Sequence, residues 1–385
     1  MKLETFTYSA PSGWSVDPLP TLDSERTLIV VFGAAEWGGG HESFDQLASA
    51  YPRSHIVGCS TAGEIFGARL ADSSLAVAVA QFEHGTLVAS ATASVRSQDE
   101  SFAAGETLAR QLNDPSLQGV LVFSDGLNVN GSELVAGINS VLSNRVVVTG
   151  GLAGDGSRFQ RTWVVHNGAP HSNLVVAAGL YGDRVVVGHG SKGGWDNFGP
   201  DRLVTRSQGN ILFELDGRPA LQLYKEYLGE LADGLPATGL LFPLALRADA
   251  SDEKSLVRTI LAVDEKEQSL TFAGDVPQGS LARLMRANFD RLIDGASEAA
   301  ALASESDAAN DDQALALAIS CVGRRLVLGQ RVEEEIEATL DVLPEGTRQI
   351  GFYSYGEISP FANGRCDLHN QTMTVTTIRE REAAA

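Results

Sequence analysis

Two glutamates set in one repeated phrase are the residues of this chain best placed to do chemistry. Gly58-Cys-Ser-Thr-Ala-Gly63-Glu64-Ile65 and Gly351-Phe-Tyr-Ser-Tyr-Gly356-Glu357-Ile358 both read G-x4-G-E-I. Glycines at Gly58 and Gly63 permit positive φ and let a ligand approach the main chain, while Ser60 and Thr61 add hydroxyls beside Glu64. Such a turn can hold a small polar molecule. If the two copies face one cleft, Glu64 and Glu357 pair there, an arrangement that suits an amine or raises the pKa of one carboxyl.

Other chemistry is less well supported. A nucleophilic Cys59 needs a base, and His55 precedes it by four residues; in a strand that spacing leaves about 13 Å between them, so an inert buried thiol is expected. Ser60 lacks the G-x-S-x-G setting of a hydrolase elbow. Gly150-Gly-Leu-Ala-Gly-Asp-Gly156 is as rich in glycine as a phosphate cradle but has no lysine, and Asp155 would repel phosphate. Gly188-His-Gly-Ser-Lys-Gly193 matches G-x-G-x-x-G, yet the following Gly-Trp-Asp-Asn-Phe-Gly-Pro200 cannot open the helix that a dinucleotide requires. Trp195 and Phe198 could line an apolar pocket wall. Cys366-Asp-Leu-His369 offers only two metal ligands, so no metal is expected. A haem would need an axial histidine, for which His166, His171, His189 and His369 are candidates that spacing does not rank.

The elements that must position these residues alternate strand and helix. Leu28–Phe32 is apolar throughout, as in a strand covered on both faces, and His41–Tyr51 has helical spacing before the strand His55–Val57. A second strand-helix-strand unit joins Gly119–Asp125, a helix near Ser132–Leu142 capped by Ser132, and Arg145–Thr149. Its glycine loop, like the Gly-Glu turn, leaves a buried strand at the carboxyl end, where open α/β sheets bind ligands. Antiparallel strands are expected from Arg161 to Leu215. Asp216-Gly-Arg-Pro219 opens a helix and places a boundary near residue 218. Beyond it come a hairpin from Ser251 to Phe272, an amphipathic helix over Ser280–Ile293, an acidic loop within Ala296–Gln313, and a last unit carrying the second phrase. The fold class is therefore α/β, or mixed α+β: two related halves, 27–217 and 218–380, with mixed parallel and antiparallel sheets flanked by helices.

Composition narrows the function. With a formal charge of −20 over 385 residues the chain has no general attraction for nucleic acid or anionic lipid. No apolar run long enough to span a membrane and no signal peptide is visible, and three scattered cysteines fit a reducing compartment, so a cytoplasmic location is expected.

Taken in order, Gly58–Ile65, Gly150–Asp155, Gly209–Ala220, Gly351–Ile358 and Cys366-Asp-Leu-His-Asn-Gln371 resemble the FIST family, over nearly the whole chain. The resemblance implies an N-terminal and a C-terminal FIST domain and a non-enzymatic sensor that binds a small ligand such as an amino acid. It also implies a second possibility, a haem-based nitric oxide sensor acting on a histidine kinase or cyclic-di-GMP enzyme. A thiol or acid/base enzyme is the third reading. With little sequence beyond residue 380, the signal is expected to pass to a separate partner. Carried over by position, the ligand-binding residues are Gly58, Cys59, Ser60, Thr61, Gly63, Glu64, Gly151, Gly154, Asp155, Tyr355, Gly356, Glu357, His369 and Asn370, to which Trp195 is added from its loop.

Overall fold

Strands without polar alternation need cover on both faces, and the chain supplies three parallel pairs of them, each wrapped in the same way. The fold is described from a computed structural model covering residues 1–36, 42–249, 255–305, 313–361 and 364–382. The first unit runs β1 (Lys2–Ser9), the short β2 (Gly13–Trp14), β3 (Thr27–Ala34), α1 (Glu42–Ala50), β4 (His55–Thr61), the hairpin β5 (Glu64–Phe66) and β6 (Arg69–Ala71), and the return strand β7 (Ser74–Gln81). The second repeats the order: β8 (Leu87–Ser94), α2 (Ser101–Leu112), β9 (Leu117–Ser124), α3 (Gly131–Asn139), β10 (Val147–Leu152), β11 (Val164–His166), β12 (Ala169–His171) and β13 (Leu174–Tyr181).

The third unit begins with β14 (Val185–Lys192) and is then interrupted. The interruption comprises β15 (Asp196–Gln208), β16 (Ile211–Leu215), β17 (Arg218–Pro219), α4 (Ala220–Leu228), β18 (Leu244–Arg247), β19 (Leu256–Arg258), β20 (Ile260–Asp264), β21 (Ser269–Phe272) and β22 (Leu281–Arg286), an antiparallel sheet with its own core around Leu221, Tyr224 and Phe272. The unit resumes with α5 (Phe289–Ser304), β23 (Leu315–Cys321), α6 (Val322–Leu328), α7 (Val332–Val342), β24 (Arg348–Ser354), the hairpin β25 (Gly356–Pro360) and β26 (Cys366–His369), and β27 (Met373–Glu380).

Sheet order exposes the repeat. The three sheets run β12-β11-β4-β3-β7-β1, β26-β25-β10-β9-β13-β8 and β6-β5-β24-β23-β27-β14. In each, a parallel pair is flanked by its own return strand and by a hairpin donated from another unit, and the three donations close a ring. Main-chain bonds follow the same cycle: Gly154 N donates to Ser60 O at 2.9 Å, Ala62 N to Tyr353 O at 2.8 Å and Tyr355 N to Leu152 O at 3.1 Å. Gly58, Gly150 and Gly351 hold equivalent positions opposite Val31, Val122 and Ala318. A Cβ on any of the three would lie 1.8 Å from the facing carbonyl oxygen, so only glycine fits.

The doubled phrase thus belongs to a threefold repeat. Residues on one face of each parallel pair meet in a shared core, where Phe32 packs against Phe123 and Phe352 with ring centroids 5.4 and 4.6 Å apart. Alternate residues face outward: Ile29 and Val31 lie under Phe44 and Leu47 of α1, which explains the uninterrupted apolar run of β3.

Mixed sheets flanked by helices are as expected, with local differences. Helix α3 starts at Gly131 and is capped by Asn130, whose side chain accepts from the amides of Ser132 and Glu133; Ser132 is not the cap. The helix expected over Ser280–Ile293 is strand β22 followed by α5, which opens at Phe289 behind the cap Asn288. The acidic segment 306–312, the start of the expected hairpin at 251–254 and His41 lie outside the described residues.

Candidate functional site

Glu64 and Glu357 occupy equivalent positions and make equivalent bonds. Glu64 accepts from the Thr61 hydroxyl, three residues back, and from the amide and hydroxyl of Ser74 at 3.1 and 2.9 Å. Glu357 accepts from Ser354 Oγ at 2.6 Å and from the amide and hydroxyl of Thr372 at 3.2 and 3.0 Å. Each therefore latches its turn to the start of its own return strand, Ser74 being the first residue of β7 and Thr372 the residue just before β27. Burial raises both carboxyls, Glu64 to about 7 and Glu357 to about 8, because the hydrogen bonds that favour the anion do not make up for lost solvation. Glu357 is fully buried with both oxygens taken, whereas Glu64 borders an open cleft. The expectation that the two carboxylates flank one cleft is accordingly corrected: they are separate structural latches.

The second unit breaks the pattern. The sheet position of Glu64 and Glu357, opposite Phe352 and Gly151, is filled by Val164 opposite Cys59. Val164 follows Gly150 by 14 residues, where each glutamate follows its glycine by 6. The extra residues form a loop pinned by Asp155, whose carboxylate accepts from the amides of Phe159, Gln160 and Arg161, each at 2.8 Å, and from the Tyr355 hydroxyl. Burial pushes the Asp155 carboxyl up, but these four bonds outweigh it and hold it below its ordinary value.

A cleft of about 370 Å³ opens beside this loop at the carboxyl ends of β3 and β4. Its walls include Glu36, Thr61, Gly63, Glu64, Asp72 and Ser73 from the first unit, Asp155 and Arg158 from the loop, and Arg325 from α6. Arg325 forks onto Asp72 at 2.7 and 2.9 Å and donates to Ala62 O. Arg158 is looser, 3.7 Å from Glu36 and 3.9 Å from Asp155, and nearly half exposed. The cleft thus offers one tightly held cation, one loosely paired cation and several carboxylates.

Of the residues expected from the sequence, Thr61, Gly63, Glu64 and Asp155 meet here. Tyr355 reaches Asp155 from behind and lines a neighbouring pocket. Cys59 is corrected: it is fully buried in the shared core and its thiol is pushed far up by burial, so it is neither nucleophile nor cleft residue. Ser60 is spent on Trp163, its hydroxyl accepting from that amide at 3.1 Å. Gly58, Gly151, Gly154 and Gly356 serve close packing: added Cβ atoms would meet Val31 O, Gly356 O, Ala62 N and a Leu368 methyl at 1.8 to 3.0 Å. Trp195 and His369 line a different chamber of about 980 Å³ together with His189 and Met285. Asn370 is buried, and its Oδ1 has no partner among the described residues. His166 and His171 lie on the β11–β12 hairpin, away from that chamber. Among the described residues no group of three potential metal ligands occurs. Sequence reasoning missed Glu36, Asp72, Ser73, Arg158 and Arg325. Only Asp72 and Ser73 lie near a phrase; the others are brought in by folding.

Profiles of the FIST N domain and the FIST C domain match residues 27–218 and 220–360. The chain belongs to the FIST family. FIST domains are sensory domains of signalling proteins. An uncharacterized protein of Methanocaldococcus jannaschii is 23% identical to this FIST protein over 365 residues, 82% of the chain; the chain spans 66% of that relative's length. Among solved structures, a cyanuric acid hydrolase from A. caulinodans aligns over 99% of both chains at 11% identity with a TM-score of 0.37, and PurLQS from Thermotoga maritima over 98% of this chain and 72% of its own at 10% and 0.17. No helix of the described residues is long and apolar enough to cross a membrane.

Proposed function

We propose that this FIST protein is a non-enzymatic cytoplasmic sensor whose ligand is a small zwitterion, an amino acid or similar metabolite, held in the cleft beside the Asp155 loop and read by a separate signalling partner. The observation that carries this is the half-exposed Arg158, only loosely paired with Glu36 and Asp155, on a 370 Å³ space that Asp72 and Ser73 also line, a size usual for small-molecule sites. Arg158 would take the ligand carboxylate, and Glu36 or Asp72 the ammonium group. The remaining motif residues act by shaping the turns. A non-enzymatic reading is favoured because Cys59 is sealed and protonated and the latch carboxyls have their hydrogen bonds filled. Three free buried cysteines support a reducing compartment.

A thermal-shift screen of amino acids, dipeptides and simple amines tests this, since a ligand of the native state alone raises stability. Stabilisation by amino acids that is lost in Arg158→Met is expected. No stabilisation by any compound would refute the reading.

A haem-based reading keeps one specific support. His189 and His369 share the 980 Å³ chamber, whose apolar wall includes Trp195, Met285 and Phe361. Burial holds both imidazoles below their ordinary pKa, in the neutral form that ligates iron, and the ring of His189 makes no hydrogen bond within the described residues while His369 Nε2 bonds Ser359 O at 2.9 Å. The residues fit a haem with His189 as axial ligand; bound haem would supply the nitric oxide site, and a histidine kinase or cyclic-di-GMP enzyme would be the partner. Reconstituted protein should then give a Soret band that shifts with nitric oxide and reverts to that of free haem in His189→Ala.

A further inference from the structure

We propose that the 160 Å³ pocket on the far side of the Asp155 loop binds a single neutral aromatic ring of the phenol class. This pocket lies between the second unit and the inserted sheet, and is lined by Leu127, Leu152, Phe159, Leu261, Phe272 and Tyr355, with Gln98 at its edge.

The placement of Phe159 and the apolar residue beside it point to a ring. Phe159 sits at φ +53°, a left-handed conformation in which aromatic residues are rare, so its placement is imposed by the three amide bonds onto Asp155 and not by local preference. Held there, its ring stacks on Tyr355 with centroids 4.4 Å apart and planes inclined by 13°, yet remains 49% exposed. Leu261 stands 44% exposed on the same pocket. A preorganised aromatic face and an apolar wall are thus presented to solvent, in a space close to the apolar cavity of about 150 Å³ that holds benzene.

The rim settles the substituent. Asn130 and Asn210 are occupied, donating to Asp275 Oδ1 at 3.1 Å and to Phe272 O at 2.8 Å. Gln98 has no side-chain hydrogen bond within the described residues and is free to bond a hydroxyl. No lysine, arginine or histidine is among the described residues that line the pocket, so it offers no counter-charge to an aryl carboxylate and favours neutral phenols.

The experiment uses the full chain and p-cresol, followed by saturation-transfer NMR and calorimetry. Saturable binding is expected. Phe159→Gly should weaken it at least tenfold without lowering the melting temperature, because glycine relieves the left-handed strain. Phe102→Ala removes another exposed phenylalanine, on α2 and outside the pocket lining, and should leave binding unchanged. Cyclohexanol, flexible and without a π face, should bind at least fivefold more weakly. Absence of saturable binding, equal affinity in Phe159→Gly, or an equal loss in Phe102→Ala would each overturn the proposal. None of these outcomes depends on whether the neighbouring cleft binds an amino acid.

Discussion

Replacing Glu357 by glutamine should make the protein more stable in mild alkali and leave it little changed in mild acid. The folded chain holds the Glu357 proton up to about pH 8, whereas an unfolded glutamate releases it near 4.5. A folded pKa raised above the unfolded one stabilises fully below the unfolded value, and that stabilisation is lost as pH rises through the folded value. One pH unit corresponds to ~1.4 kcal/mol, so the loss from this single carboxyl between pH 4.5 and 8 is on the order of 4 to 5 kcal/mol. Glutamine escapes it. Its amide can donate to Ser354 Oγ and its carbonyl can still accept from the amide and hydroxyl of Thr372, so the latch survives. Urea unfolding of wild type and variant at about pH 5 and about pH 8.5, extrapolated to water, measures the difference directly. Stability curves that stay parallel across that range would refute the reasoning, because Glu357 would then be ionised in the folded chain and its three hydrogen bonds would outweigh burial.

Glu64→Gln should show the same crossover one pH unit lower, since burial raises that carboxyl to about 7, and should weaken an amine ligand if Glu64 meets it directly. Arg324 and Glu335 are both fully buried and joined at 2.7 Å, so Arg324→Met should cost roughly 3–5 kcal/mol by leaving Glu335 charged and unpaired, while Arg324→Met with Glu335→Leu should recover most of it in a denaturant melt. Gly58→Ala, Gly150→Ala and Gly351→Ala should each destabilise by more than about 3 kcal/mol and to similar extents; one well-tolerated substitution would argue against the threefold equivalence.

Local pattern was readable wherever both faces of a strand are covered. Leu28–Phe32 and Gly119–Ser124 stand out as apolar runs because one face meets the shared core and the other meets helices. Strand β22 was not readable. Leu281, Leu284 and Met285 have helical spacing, but six residues are too few to separate that period from the alternation that buries Ala282 and Leu284. Hairpin exchange left no local trace either: β5 pairs with β24 across nearly the whole chain, and nothing in Glu64–Phe66 names its partner. The third copy of the repeat was hidden by its own divergence. Gly150 keeps its place, yet the carboxylate that follows is an aspartate in a longer loop, and the equivalent left-handed turns before the return strands carry Ser73, Asn173 and Gln371, three residue types with no shared signature.

That divergence bears on where function sits. A residue repeated with the same partners in two units is explained by the fold that repeats it, and Glu64 and Glu357 are of this kind: hydroxyl three residues back, amide and hydroxyl at the start of the return strand. Their repetition in the sequence has a structural cause. The second unit dispenses with the latch, spends extra residues on a loop, and fastens that loop with an aspartate and a tyrosine from another unit. The other two units have a shorter connection at this place, six residues from glycine to glutamate. The Asp155 loop separates two cavities of different character, a charged cleft on the Arg158 side and an aromatic pocket on the Phe159 side. The Asp155–Tyr355 hydrogen bond lies between them: Asp155 lines the charged cleft and Tyr355 the aromatic pocket, so the residues that depart from the repeat are the ones that shape both spaces.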